Sequence, residues 1–274
     1  MAQKPVLTPL MAELEPVVGE YYHRHIDTAE PWFAHDFVPF DRGENFKALG
    51  GHDWDASQVT LPKHVTDALE IMLITKDNVA GVHREFVEHF ILEDWWGMWI
   101  GRWTAEEHLH AIVLREYLVV TRDIDPVANE AVRVQHVMKG YRADHFSKIE
   151  TLVQMALRER EDAVYCRRLA AQIDDPTLRS LIETIAKDEE RHQKFFDNLV
   201  SDCMRLEPEE TVAAIASRAA ELTVVGADID AYKDKVANVA DAGIFDENVM
   251  RQCISDSIAA WGLSDRPELA DFVR

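Results

Sequence analysis

The sequence predicts an all-α protein built around a bundle of long helices, and three observations carry that expectation. Apolar residues recur at three- and four-residue steps over most of the chain beyond residue 60. Alternating apolar and polar runs of the kind a half-buried strand needs are almost absent. Proline and glycine fall between the periodic stretches, at Pro62, Gly97, Pro126, Pro176, Pro208, Gly243 and Gly262.

Taken in order, residues 8–24 read as a short helix starting near Thr8 or Pro9. From 25 to 60 the period breaks up, with Pro31, Pro39, Gly43, Gly50 and Gly51 spaced among aromatic residues, as expected of a segment wrapping over a core. Long amphipathic stretches follow at 63–93, 103–122, 126–141, 147–173 and 176–205. Shorter ones run over 208–222, 227–241, 246–261 and 266–273. The expected organisation is one helical domain over 1–274: an N-terminal helix and wrapping segment (1–60), a metal-binding bundle (61–205) and C-terminal helices (206–274).

Composition narrows the function classes. With 274 residues, 47% hydrophobic and 29% charged, the chain can bury one large core. No apolar run reaches the roughly 18 residues needed to span a membrane. The first residues lack a basic segment followed by an apolar stretch, so no secretory signal is expected. Cys166, Cys203 and Cys253 lack metal-type spacing and read as reduced thiols in a cytoplasmic protein. A net charge of −21 argues against nucleic acid and anionic membrane surfaces as partners. Arg158, Arg160, Arg167 and Arg168 form a local basic patch for an acidic partner, or equally a solvated helical face.

Four helices carry polar groups on their inward stripes. The first stripe is Val65, Leu69, Met72, Lys76, Val79 and His83; the second is Trp103, Glu107, His110, Leu114 and Tyr117. The third holds Leu152, Met155, Glu159, Asp162, Cys166 and Leu169, and the fourth Ile182, Ile185, Glu189, His192, Phe196 and Leu199. Charged groups are rarely buried unless they are paired or coordinate something, so four interruptions at similar depth point to a site. A single Glu-x-x-His carries little: with 12 histidines about one is expected by chance. Glu20 and His23 read as such a decoy. The constellation is specific: a helix Glu, then Glu-x-x-His on the next helix, is complete in Glu159, Glu189 and His192. It recurs in Glu107 and His110 with Lys76 where the first Glu belongs. Four glutamates would neutralise two divalent irons in a dry core, and one histidine per metal would leave positions open for dioxygen. The i, i+3 spacing turns Glu and His to one face.

The resemblance to the soluble acyl-ACP (stearoyl-ACP type) desaturases rests on these residues. Trp103-Thr-Ala-Glu-Glu-His-Leu-His110 with Leu114-Arg-Glu-Tyr-Leu118 resembles that family's first metal-binding helix, and Ile185-Ala-Lys-Asp-Glu-Glu-Arg-His192 its second. Leu157-Arg-Glu-Arg160 resembles the intervening ligand segment, and Trp32 to Pro39 the N-terminal Trp/Asp-Phe-x-Pro stretch. The similarity spans about residues 30–200 and is nearest the mycobacterial, actinobacterial branch. It implies a ferritin-like four-helix-bundle core with additional helices, a homodimer, and two irons. It also implies insertion of a cis double bond into an ACP-bound acyl chain with dioxygen and ferredoxin electrons.

By position, Glu107, His110, Glu159, Glu189 and His192 match five of the six family ligands, and Trp32, Asp188 and His110 the family's surface-to-metal connection. Two positions depart: Lys76 replaces the first ligand, and Asp162 replaces a threonine associated with activated oxygen. Asp77 points about 100° away around the helix and is not expected to substitute. Three glutamates and a protonated Lys76 sum to minus two, the charge one divalent ion balances. Burial lowers a lysine pKa and nearby carboxylates raise it; the charged form is expected to win. Lys76 is therefore expected to pair with Asp162 or Glu107, leaving one metal, iron or manganese, or two held poorly. The alternative to an impaired desaturase is a desaturase-like acyl-ACP-binding or regulatory protein. An iron-storage role leaves Trp32–Pro39 and the tryptophans unexplained. Trp95, Trp96, Trp99 and Trp103, with Met98 and Ile100, are expected either to line an apolar channel or to pack the core and a dimer face.

Overall fold

The computed structural model describes residues 8–90 and 92–274; the N-terminal segment read for a secretory signal lies outside the described residues. Ten α-helices account for the architecture, and no strand occurs among the described residues. They are α1 (Pro9–Thr28), α2 (Lys63–Asp77), α3 (Val79–His89), α4 (Asp94–Val120) and α5 (Pro126–Lys139). There follow α6 (Lys148–Ala170), α7 (Pro176–Leu206), α8 (Pro208–Glu221), α9 (Lys233–Asp241) and α10 (Glu247–Ala260). The fold is the all-α, ferritin-like helical one expected from the sequence.

Local chemistry sets the helix starts. Asp125 and Asp175 accept from the amides two and three residues on, with proline in the first turn of α5 and α7. Ser147 opens α6 with a reciprocal capping box to Glu150. α6 and α7 pack together along their length; α2 lies on α4, and α1 crosses both α4 and α7. α8 and α10 cover α6, and α9 covers α2.

Two sequence boundaries move. The stretch read as one helix over 63–93 is broken at Asn78, two residues after Lys76, into α2 and α3. The stretch read from 103 begins at Asp94, so Trp95, Trp96, Trp99 and Trp103 all lie within α4. Gly97 is no joint: a Cβ there would sit 2.5 Å from the Leu92 carbonyl, so the glycine permits a close approach. The first helix also runs on to Thr28, which carries His25 into the core at 4% exposure.

The 29–62 segment wraps the bundle through short 3-10 turns. Arg122 holds it, donating to the carbonyls of Glu44, Asn45 and His52 with its guanidinium stacked on Phe46. Asp123 accepts from the amides of Thr60 and Leu61. The arginines considered as a basic patch act as ties. Arg158 binds Glu161 and the Thr223 carbonyl; Arg160 binds Ser257 and Asp197. Arg167 pairs with Glu190, and Arg168 donates to the carbonyls of Gly243 and Ile244. All three cysteines are free and buried.

Candidate metal centre

Lys76 from α2, Glu107 and His110 from α4, Glu159 and Asp162 from α6, and Glu189 and His192 from α7 converge at mid-bundle. The i, i+3 pairs on α4 and α7 put Glu and His on one inward face. His110, Glu189 and His192 are fully buried, Glu159 and Glu107 nearly so.

Lys76 is 3% exposed, which rules out an amine reaching solvent. Its Nζ lies 2.6 Å from Asp162 Oδ2, 2.9 Å from Glu107 Oε2 and 2.9 Å from Glu189 Oε1. Burial works against the ammonium, but Asp162, Glu107, Glu189 and Glu159 outweigh it and hold its pKa well above the ordinary value. Asp77 turns away, pairing with Arg115 and Arg133.

Two sets of nitrogen atoms flank the carboxylates. On one side stand His110 Nδ1, 3.0 Å from Glu189 Oε1 and 3.4 Å from Glu107 Oε1, and Lys76 itself. On the other, His192 Nδ1 faces Glu107 Oε1, Glu159 Oε2 and Glu189 Oε2 at 3.3, 3.5 and 3.8 Å. Ligand atoms of Glu107, Glu159, Glu189 and His192 all fall within 4.8 Å of one another, spacing at which they can share one cation. Burial pushes the Glu159 carboxyl up to about 8, while Trp103 Nε1 donates to its Oε1 at 2.8 Å.

Each histidine is held from behind by a carboxylate of the other helix. His110 Nε2 meets Asp188 Oδ2 at 3.1 Å, and Trp32 Nε1 donates to that same oxygen at 2.9 Å. His192 Nε2 meets Glu106 Oε2 at 2.8 Å, and His25 Nε2 meets it from α1, also at 2.8 Å. Burial alone would raise the Glu106 pKa; its bonds to His192 and His25 lower it far below the ordinary range. Glu106 and His25 were not identified from the sequence. The mirrored Glu106-Glu107-x-x-His110 and Asp188-Glu189-x-x-His192 was a usable signal for Glu106; nothing local marked His25. Glu20 and His23 take no part: Glu20 pairs with Arg24, and His23 packs on Trp95.

The tryptophans divide. Trp96, Trp99 and Ile100 are core residues, with Trp99 stacked on Phe195, and Met98 is exposed. Trp103 reaches the centre and lines a cavity of about 120 Å³ that runs from Lys76, Glu107 and Glu159 past Val79, Val82 and Met155.

A model of the fatty acid desaturase family matches residues 8–273. The chain belongs to the fatty acid desaturase family. It is 66% identical over 273 residues to a Mycobacterium tuberculosis relative named "Putative acyl-[acyl-carrier-protein] desaturase DesA2", covering 100% of this chain and 99% of that one. The X-ray structure of that DesA2 matches with a TM-score of 0.85 at 58% identity, covering 97% of this chain and 100% of the other. DesA1 of the same organism is 30% identical over 277 residues, 98% of this chain and 82% of that relative. Within this desaturase fold the donor set fits one divalent ion and does not fit the two irons that the family resemblance implies. An ammonium contacts Glu107, Asp162 and Glu189 where the second cation would need those oxygens.

Proposed function

We propose that this protein is an acyl-ACP desaturase whose centre holds one divalent metal beside a fixed lysine cation. The observation that carries the reading is Lys76 Nζ within 2.9 Å of three carboxylates, beside an intact Glu107, Glu159, Glu189 and His192 nest. One ammonium and one divalent ion supply three positive charges to the four carboxylates Glu107, Glu159, Glu189 and Asp162, leaving a single negative charge; the case for one metal rests on the oxygens that the ammonium occupies. A bound iron would supply the one-electron chemistry that dioxygen requires. The chain's own residues prepare its position. Glu106 orients His192, Trp103 fixes Glu159, and the dry surroundings exclude water from the acyl chain.

Family membership and the relatives' names support acyl-ACP as substrate, a ferredoxin-type donor, a homodimer and a cytoplasmic setting as parts of the same reading. Electrons would enter by Trp32, Asp188 and His110, which lead to the lysine-filled half of the centre.

That last geometry favours a second reading, an acyl-ACP-binding protein that forms no double bond. Incubation of iron-loaded protein with acyl-ACP, ferredoxin and a reductant, followed by mass analysis of the acyl chain, separates the two. A double bond above background is expected. Tight acyl-ACP binding without one establishes the second reading, and two irons per chain with a coupled spectrum overturns the one-metal centre.

A further inference from the structure

The two histidines of the centre are backed in the same way, by a carboxylate behind the ring and a second ring that shares the carboxylate oxygen. Trp32 lies parallel to His110, centroids 6.1 Å apart and planes at 3°, and donates to the Asp188 Oδ2 that His110 Nε2 meets. His25 lies nearly parallel to His192, at 5.6 Å and 15°, and meets the Glu106 Oε2 that His192 Nε2 meets. His25 is therefore the counterpart of Trp32, supplied by α1. An ionised carboxylate only accepts, so both imidazoles turn an N–H to Oε2. His192 Nδ1 then faces Glu107 Oε1, Glu159 Oε2 and Glu189 Oε2, and all four atoms are buried without a hydrogen-bond partner among the described residues.

We propose that His25 is a positioning residue of the metal centre: from α1 it fixes the Glu106 carboxylate against His192 and, through it, the direction of His192 Nδ1. This rests on the one-metal reading above and adds α1 to the centre. The other oxygen of Glu106 is held at 2.6 Å by Arg102, one turn back on the same helix, so that bond travels with α4. His25 ties Glu106 to a different helix, independently of His192. Its own ring has little freedom, being 4% exposed and edge-on to Trp99 at 5.1 Å and 84°. Groups that orient a ligating histidine from outside affect metal affinity strongly, and a buried network acts as a unit. By linkage, if docked α1 favours the bound metal, the bound metal favours docked α1 by the same factor.

The test is equilibrium binding of manganese(II) to the metal-free full-length protein, followed by its electron paramagnetic resonance signal. His25→Phe keeps a ring against His192 and Trp99 and removes the N–H. His25→Gln gives up the ring and keeps an N–H near the place of Nε2. Both are checked for native helix content. His25→Phe is expected to bind manganese about tenfold more weakly than the native protein, and His25→Gln within about twofold of it. Native affinity in His25→Phe overturns the proposal. So does a loss in His25→Gln as large as that in His25→Phe, since the ring's packing would then be what matters. A second measurement needs no variant. Manganese should slow amide exchange over residues 21–28 of α1 in the native protein. Slowing confined to α4, α6 and α7 overturns the proposal whether or not the variants fold. A native protein that binds no manganese removes the one-metal reading beneath it.

Discussion

Lys76 Nζ and Asp162 Oδ2 face each other across the bundle at 2.6 Å, and they stand at the two positions where the sequence departs from the pattern that the family resemblance implies. The two departures meet in one contact: the ammonium on α2, where the resemblance implies a carboxylate, is received by the Asp162 carboxylate on α6. A buried charge left without its partner is costly, which explains why the two belong together.

Removing the cation alone tests that coupling. Lys76→Met in metal-free protein leaves three carboxylates facing one another and is expected to cost about 3–5 kcal/mol of stability. Lys76→Met combined with Asp162→Thr should cost less than the single change. Urea unfolding of the native protein, Lys76→Met, Asp162→Thr and the double variant gives the coupling energy; additive losses would show that the pair is incidental.

Restoring the family donor set should restore the second cation site. Lys76→Glu with Asp162→Thr is expected to bind two divalent ions per chain where the native protein binds one. Metal analysis after loading with iron or manganese reads the stoichiometry directly. One ion in both proteins would mean that something other than the ammonium limits the site.

The two carboxylates behind the histidines should separate by role. Glu106 backs His192, the histidine of the open half, so Glu106→Gln is expected to weaken metal binding about 10- to 100-fold. Asp188 backs His110 in the lysine half, so Asp188→Asn should leave affinity for the single ion near native. Equal losses from both would place the metal between the histidines.

Much of this was legible in the sequence because helical period and Glu-x-x-His spacing are local. Glu107, Glu159, Glu189 and His192 were identified from helical face, the repeated Glu and Glu-x-x-His spacing and the family resemblance, and the structure brings them within one cation's reach. What was hidden depends on chain reversal: His25 reaches Glu106 from 81 residues away, and no local pattern encodes that meeting. The tryptophans were open between an apolar channel and core packing, and helical phase decides between them: Trp96 and Trp99 enter the core and Trp103 lines the cavity. Trp99→Ala should therefore cost about 3–5 kcal/mol of stability through its lost packing on Phe195, measurable by urea unfolding.

His136 gives the pH dependence. Burial lowers its folded pKa below the ordinary 6.5, so the unfolded chain binds the proton more readily than the native one. Its contribution to stability is complete above about pH 6.5 and falls as pH drops toward the folded value, flattening once both states are protonated. His25 is lowered in the same direction, while His110 and His192 are raised and contribute with the opposite sign, so the whole protein's slope is a sum. The difference between native protein and His136→Phe isolates the one term. Unfolding free energies measured from pH 5 to 7 should show a stability gap that narrows as pH falls, because the variant lacks the penalty for protonating a buried ring. A gap independent of pH would mean that the folded and unfolded states bind the His136 proton equally, and a gap that widens as pH falls would mean that folding makes the ring more basic.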